Sequence, residues 1–208
     1  TRLPFEKLHE RLDFAFTRNQ ESPTLNDFRA SQEWIALENK ALTRARKIIT
    51  PHAEIAAIFQ NKVEKLEWHM STMENGALTG TKLLFPASAV GRKGAYEMKR
   101  LAKELQLDLV IAGRSIEQEN FWEDVPIETF MGNFQDIGLV VYPTFVEHQP
   151  RQLLKALSKG IPVVTTTASG LEPSERVDIV ETTNFEQLKE VVQRRIEWKI
   201  TNFIATRK

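Results

Sequence analysis

The residues of this chain best suited to chemistry lie where apolar runs give way to helical patterns. Glu147-His148-Gln149-Pro150 follows the run that ends at Tyr142-Pro143 and precedes a helical stretch over residues 151–159. Proline suits the first helical position, because the N–H it lacks is one the helix would leave unpaired. Free amides at a helix start attract anions. The stretch thus offers a carboxylate able to accept hydrogen bonds from sugar hydroxyls, beside amides able to hold a diphosphate. The plainer alternative is that Glu147 only complements the positive end of the helix dipole. Lys155 follows Glu147 by eight residues, which places it well into the same helix. There it faces either the same cleft or solvent, where lysine is usually found.

A second candidate is Gly91-Arg92-Lys93-Gly94, between an apolar run and a helical pattern. Two glycines let the backbone approach a ligand, and two cations neutralise phosphate. The spacing is neither that of a Walker loop nor GxGxxG, and a solvated strand-to-helix turn explains it as well. His52 and His148 lie near expected strand ends. No HExxH spacing or similar is present, which argues against a zinc site. No GxSxG element supports a hydrolase nucleophile. Asp108 and Asp136 flank strands but do not end them, which weighs against a phospho-acceptor domain. The Trp and Phe residues fall at helical core spacings and read as packing.

These candidates need elements to hold them. Residues 1–75 read as mostly helical. Phe5, Leu8, Leu12 and Phe16 recur at helical spacing. A second helix is expected over residues 31–46, with Trp34, Leu37, Ala41 and Ala45 on one side, and a third over 53–59. Between them, residues 47–50 form a lone strand whose backbone needs a partner. It reads as the edge of a sheet whose other strands are absent or lie elsewhere. Residues 70–80 read as a linker. Residues 76–208 then form the second unit. Apolar runs at 83–85, 107–112, 130–131, 139–142, 161–165 and 177–180 read as strands, continuous as in a sheet covered on both faces. Helices over 95–105, 151–159 and 184–203 complete an α/β, Rossmann-like parallel sheet with helices on both faces.

Of 208 residues, 41% are hydrophobic and 27% charged, an ordinary globular balance. Lys plus Arg equal Asp plus Glu at 28 each, so no global field recruits nucleic acid or an anionic surface. There is no cysteine, hence no disulfide or thiol chemistry, which fits a cytoplasmic protein. No run reaches the ~20 apolar residues of a membrane span, which leaves peripheral contact as the form that a membrane association would take. The chain begins with Thr and nothing near it reads as a signal peptide, so it reads as a piece of something longer.

Taken together, these elements resemble the C-terminal, donor-binding half of a GT-B glycosyltransferase, closest to the retaining class called group 1 or family 4. Lys93-Gly94 match the family's Lys-Gly pair. Val110-Ile111-Ala112-Gly113 match a strand leading to a glycine. Pro143-Thr144 and Glu147 match a strand ending in Pro-Ser or Pro-Thr followed by Glu. Ala156, Gly160, Pro162, Val163 and Val164 match the helix and Gly-x-Pro-Val that follow, and Ser169-Gly170-Leu171 the trailing Ser-Gly-Leu. The likeness spans about residues 82–171, and residues 47–59 look like the last strand and helix of the family's acceptor domain. Two departures stand out. Lys155 occupies the second Glu of the E-x7-E motif, and lysine accepts no hydrogen bond. The family's arginine is also missing from its place near Ala87-Ser88, leaving Arg92 as its substitute.

The resemblance implies sugar transfer from a UDP- or GDP-sugar to a glycan or lipid-linked acceptor, with retention and without a metal or other cofactor. Glu147, Arg92 and Lys93 would be catalytic. Gly94, Gly113, Thr144, His148, Gln149, Pro150, Arg151 and Lys155 would bind donor. The competing reading is a non-catalytic relative with a degraded donor site, for which Lys155 speaks. A third, an unrelated flavodoxin-like domain, differs in strand order.

Overall fold

The computed structural model describes residues 3–27, 29–70 and 80–205, with side chains described as far as residue 198. Helix α1, Phe5–Arg18, buries Leu8, Leu12 and Ala15 along one stripe. The stripe packs with Leu3 and Leu25, and across the molecule with Phe145 and Val146. Helix α2, Gln32–Arg44, is capped by Ser31, whose hydroxyl accepts the Trp34 amide at 3.3 Å. Its expected apolar side is turned outward, with Trp34 62% and Leu37 49% exposed. Polar docking explains this. The Glu38 carboxylate takes the Phe5 amide at 2.5 Å, and Asn39 bonds Glu6 at 3.0 Å, so the buried side is the one carrying Ile35 and Glu38.

Strand β1, Ile48–Thr50, is not alone. After helix α3, Ala53–Ile58, the chain forms β2, Val63–Lys65, which pairs with β1 in parallel. Val63-Glu64-Lys65 is too short and too polar to be read as a strand from its sequence. The expected linker lies mostly outside the described residues. Gly80, at its end, is buried, and a Cβ there would come within 2.4 Å of the Asp136 backbone.

The remaining elements are β3 (Lys82–Phe85), α4 (Ala95–Leu105), β4 (Leu109–Ile111), β5 (Ile127–Thr129), β6 (Ile137–Tyr142), α5 (Arg151–Ser158), β7 (Val163–Thr166), β8 (Val177–Val180) and α6 (Phe185–Ala205). The six strands form one parallel sheet in the order β5-β4-β3-β6-β7-β8. Counted from β3, this is the doubly wound order 3-2-1-4-5-6, not the flavodoxin order. Right-handed crossovers leave the centre in opposite directions, which sends α4 and α5 to opposite faces. Helix α6 returns to touch α4, β7 and β8. Central strands are covered on both sides, and all six residues of β6 are buried. This is why they read as continuous apolar runs.

The third strand of this sheet falls at residues 127–129, not at Phe130-Met131. It is one of the sheet's two edge strands, with one neighbour, and all three of its residues are exposed. Phe130 still donates to Ile111 at 2.9 Å, but Met131 is 87% exposed. Trp34 and Trp198 are exposed as well, so not every large aromatic is core.

Leu84, fully buried at the middle of β3, tests this core. Leu84→Ala is expected to lower the unfolding free energy by about 3 kcal/mol, read from urea denaturation. A loss under about 1 kcal/mol would contradict a close-packed site.

Candidate functional site

In a doubly wound sheet, ligands bind at the carboxyl ends of the strands where the winding reverses. Here that point lies between β3 and β6, and both stretches singled out by their chemistry follow those two strands. After β3 the chain makes a single 3-10 turn at Gly91–Lys93, and Gly94 (φ 80°) opens α4. A Cβ at Gly94 would stand 2.1 Å from the Pro143 carbonyl oxygen, so both conformation and space require glycine. After β6, the carbonyl of Arg92 accepts the Phe145 amide at 3.0 Å, with the Thr144 hydroxyl 3.3 Å away. The two loops are thus tied together through backbone.

Their side chains meet at Glu147. Its Oε2 accepts Lys93 Nζ at 2.8 Å and the Tyr142 hydroxyl at 2.7 Å. Its Oε1 accepts the amides of His148 at 2.8 Å and Gln149 at 3.0 Å. Four donors saturate one carboxylate. Burial alone would push its pKa up. The Lys93 charge and the bonds from Lys93, Tyr142 and the Gln149 amide outweigh that and hold it below the ordinary value. The Tyr142 phenol is pushed well above its ordinary value, first by burial and then by the negative charge of Glu147. Lys93 keeps 22% of its side chain exposed, against 14% for Glu147. Burial lowers the Arg92 guanidinium from its ordinary value, with Tyr142, Asp27 and Glu147 opposing the shift.

The structure therefore brings Lys93, Gly94, Thr144 and Glu147 together, with the backbone of Arg92. It corrects the amides. Gln149 N–H is taken by Glu147, Pro150 has none, and Arg151 N–H turns to the Gln149 carbonyl at 2.7 Å. Pro150 is the N-cap of α5, not its first helical residue. Arg151 bonds the Gln149 side chain at 3.1 and 2.6 Å on the exposed surface. Lys155 is exposed and is not among the partners of Glu147. Its Nζ sits 5.5 Å from the ring centroid of Phe134, in the segment that returns from β5 to β6. Gly113 lies in the loop after β4 with φ 140°, and a Cβ there would lie 2.4 Å from Ser88 Oγ. Its glycine serves a close approach between two loops. His148 is exposed beside Glu147. Among the described residues, no group of three or more His, Asp or Glu is placed to hold a metal ion, and no helix is long and apolar enough to cross a membrane.

Two participants escape sequence reasoning. Tyr142 reads as a core aromatic, and only its place at the end of β6 hints at more. His52 stands near a strand end, but its partner is 95 residues away: its Nε2 lies 3.2 Å from the Glu147 carbonyl oxygen. Nδ1 accepts the Ile55 amide at 3.5 Å, which assigns the proton to Nε2. The ring is buried against Gly170, where a Cβ would come within 2.3 Å of it.

Several solved structures share this architecture. The crystal structure of TarM matches with a TM-score of 0.60 and 12% identity, over 86% of this chain and 42% of that one. A second TarM structure, of an S. aureus mutant in complex with fondaparinux, α-GlcNAc-glycerol and UDP, gives 0.53 at 13%, over 85% and 42%. The lipopolysaccharide outer core galactosyltransferase WaaB, in apo form, gives 0.60 at 12%, over 77% and 55%. WaaG, a glycosyltransferase involved in lipopolysaccharide biosynthesis, gives 0.56 at 18%, over 88% and 63%. The fold is thus GT-B glycosyltransferase-like, and the chain spans between 42% and 63% of the length of these proteins. No protein-family model matches the sequence, and no curated protein does.

Burial lowers the His52 pKa from 6.5, against the opposing bonds of the Glu147 and Ala168 backbone. The unfolded chain therefore binds more protons than the folded one as pH falls through this range. The stability contributed by neutral His52 is complete above 6.5 and is lost as pH falls below it. Glu147, with its lowered pKa, adds a further loss below its ordinary 4.5. Thermal melts at about pH 8 and about pH 5.5 should show a drop in Tm that is smaller in His52→Gln. Equal drops in both proteins would refute the role of His52.

Proposed function

We propose that this chain is the donor-binding part of a retaining glycosyltransferase that moves a sugar from a UDP- or GDP-sugar to a glycan or lipid-linked acceptor. The observation that carries the reading is the meeting of Lys93 and Glu147 at the winding reversal of a GT-B-like sheet. Support comes from the fold of TarM, WaaB and WaaG, and from the UDP named in one TarM complex.

The chemical demand is to stabilise a departing nucleoside diphosphate as the glycosidic bond breaks. Fixed cations in a partly dried crevice do this without reorganisation. Lys93 and Arg92 take that role. On donor entry the Lys93 ammonium leaves Glu147 Oε2 for a phosphate oxygen, and the freed oxygen accepts a hydroxyl of the donor sugar. Tyr142 and the His148 and Gln149 amides keep the rest of the carboxylate in place.

A second reading, a non-catalytic relative whose donor site has decayed, has its own support. Glu147 is already saturated, the amides leading into α5 are occupied, and Lys155 rests on Phe134.

Calorimetric titration with UDP- and GDP-sugars separates the two. The donor-binding reading expects a heat signal, weakened about tenfold or more by Lys93→Ala. No signal at about millimolar ligand would sink it. A gain of nucleotide affinity in Lys155→Glu would favour the decayed site.

A further inference from the structure

A second carboxylate lies beneath the same glycine loop, and none of the chemistry above uses it. Glu117 is 4% exposed, in the chain that follows β4. Its Oε2 accepts the Ser22 hydroxyl at 2.7 Å and the Tyr96 hydroxyl at 3.0 Å. Its Oε1 accepts the Thr24 hydroxyl and the Gly91 amide. The four donors come from three places: the strap that follows α1, the turn before α4, and α4 itself. None is a cation. A buried carboxylate satisfied only by neutral donors depends on all of them, because each one lost leaves charge unpaired in a poor dielectric.

The strap lies directly on the loop. The Thr24 hydroxyl oxygen also accepts the Gly91 amide at 2.9 Å, and a Cβ at Gly91 would meet Leu25 at 2.6 Å and Ser22 Oγ at 2.9 Å. The Gly91 amide is therefore turned into the protein and away from the crevice. Two residues later Lys93 reaches Glu147 at 2.8 Å and the Val146 carbonyl at 3.3 Å. The turn between them is pinned at one end by Glu117 and at the other by the bond from Phe145 to the Arg92 carbonyl. A shift at the first anchor moves Lys93.

We propose that Glu117 is a positioning residue for Lys93: it fixes the turn that delivers the ammonium to the crevice, and through Ser22 and Thr24 makes that delivery depend on the N-terminal strap. This rests on the reading of Lys93 as the cation that meets a diphosphate. It adds that the N-terminal segment sets donor affinity without touching the donor. A strap that lifts takes two of the four donors with it and loosens the turn.

The direct readout is the titration of the Glu147 carboxyl, followed by carbon NMR in the parent, Glu117→Gln, Thr24→Val and a distant core control, Val177→Ala. With Lys93 displaced, the Glu147 pKa should rise by about one unit in the first two variants and stay put in the control, although the control also loses stability. UDP affinity should fall about tenfold in the same two variants. Thr24→Val removes one hydroxyl, so it reports even where Glu117→Gln folds poorly. An unchanged Glu147 titration in folded Thr24→Val and Glu117→Gln overturns the proposal. A parent chain that binds no UDP overturns the donor-binding reading instead, and the titration still decides the role of Glu117.

Discussion

A carboxylate placed where a buried strand ends and a helix begins must have nearly every lone pair met, because an unpaired charge in that setting costs several kcal/mol. Glu147 meets the demand with four donors from three different elements: Tyr142 at the end of β6, Lys93 from the glycine loop, and two amides leading into α5. Its satisfaction therefore fixes the mutual placement of those elements. The crevice that a doubly wound sheet opens at its reversal is here spanned by one ion pair. Glu117 solves the same problem without any cation, and the two carboxylates hold the glycine loop at Gly91 and at Lys93.

What the sequence makes legible follows from how much of an element is buried. Helix α4 has the expected limits because Met98, Leu101 and Ala102 trace one buried stripe. Strands β6 and β7, enclosed on both faces, read as unbroken apolar runs. Edge strand β5, with one neighbour, has no such run, and the apolar pair just beyond it is misleading. Strand β2 escapes notice because three residues carry no period. Helix α2 presents its apolar side to solvent because hydrogen bonds from Phe5 and to Glu6, not apolar contacts, hold it down.

The site was legible in its parts and not in its connections. Lys93 and Glu147 are recognisable by type and by their positions after strands, but 54 residues separate them, and no local pattern announces their contact. Glu117 has no signal at all, since a buried glutamate looks like any exposed one in a sequence. Lys155 was legible as a departure from a motif. Its rest position on Phe134 depends on a return segment between β5 and β6 that carries no helix. His52 likewise becomes meaningful only once Gly170 leaves room for its ring, and the Ala53 amide and Trp68 indole both find the Gly170 carbonyl, at 2.9 and 3.1 Å.

The strap has a temporal consequence. Ser22 and Thr24 precede their shared acceptor by 95 and 93 residues. Chains emerge from the ribosome N-terminus first, at roughly 5–20 residues per second, so the strap waits several seconds for Glu117 to appear. Contacts of such long sequence separation form late, after the closure entropy of the intervening chain has been overcome. The strap has nothing to latch onto until the chain beyond β4 is in place, so the bonds that hold the turn before Lys93 belong to the late contacts of folding.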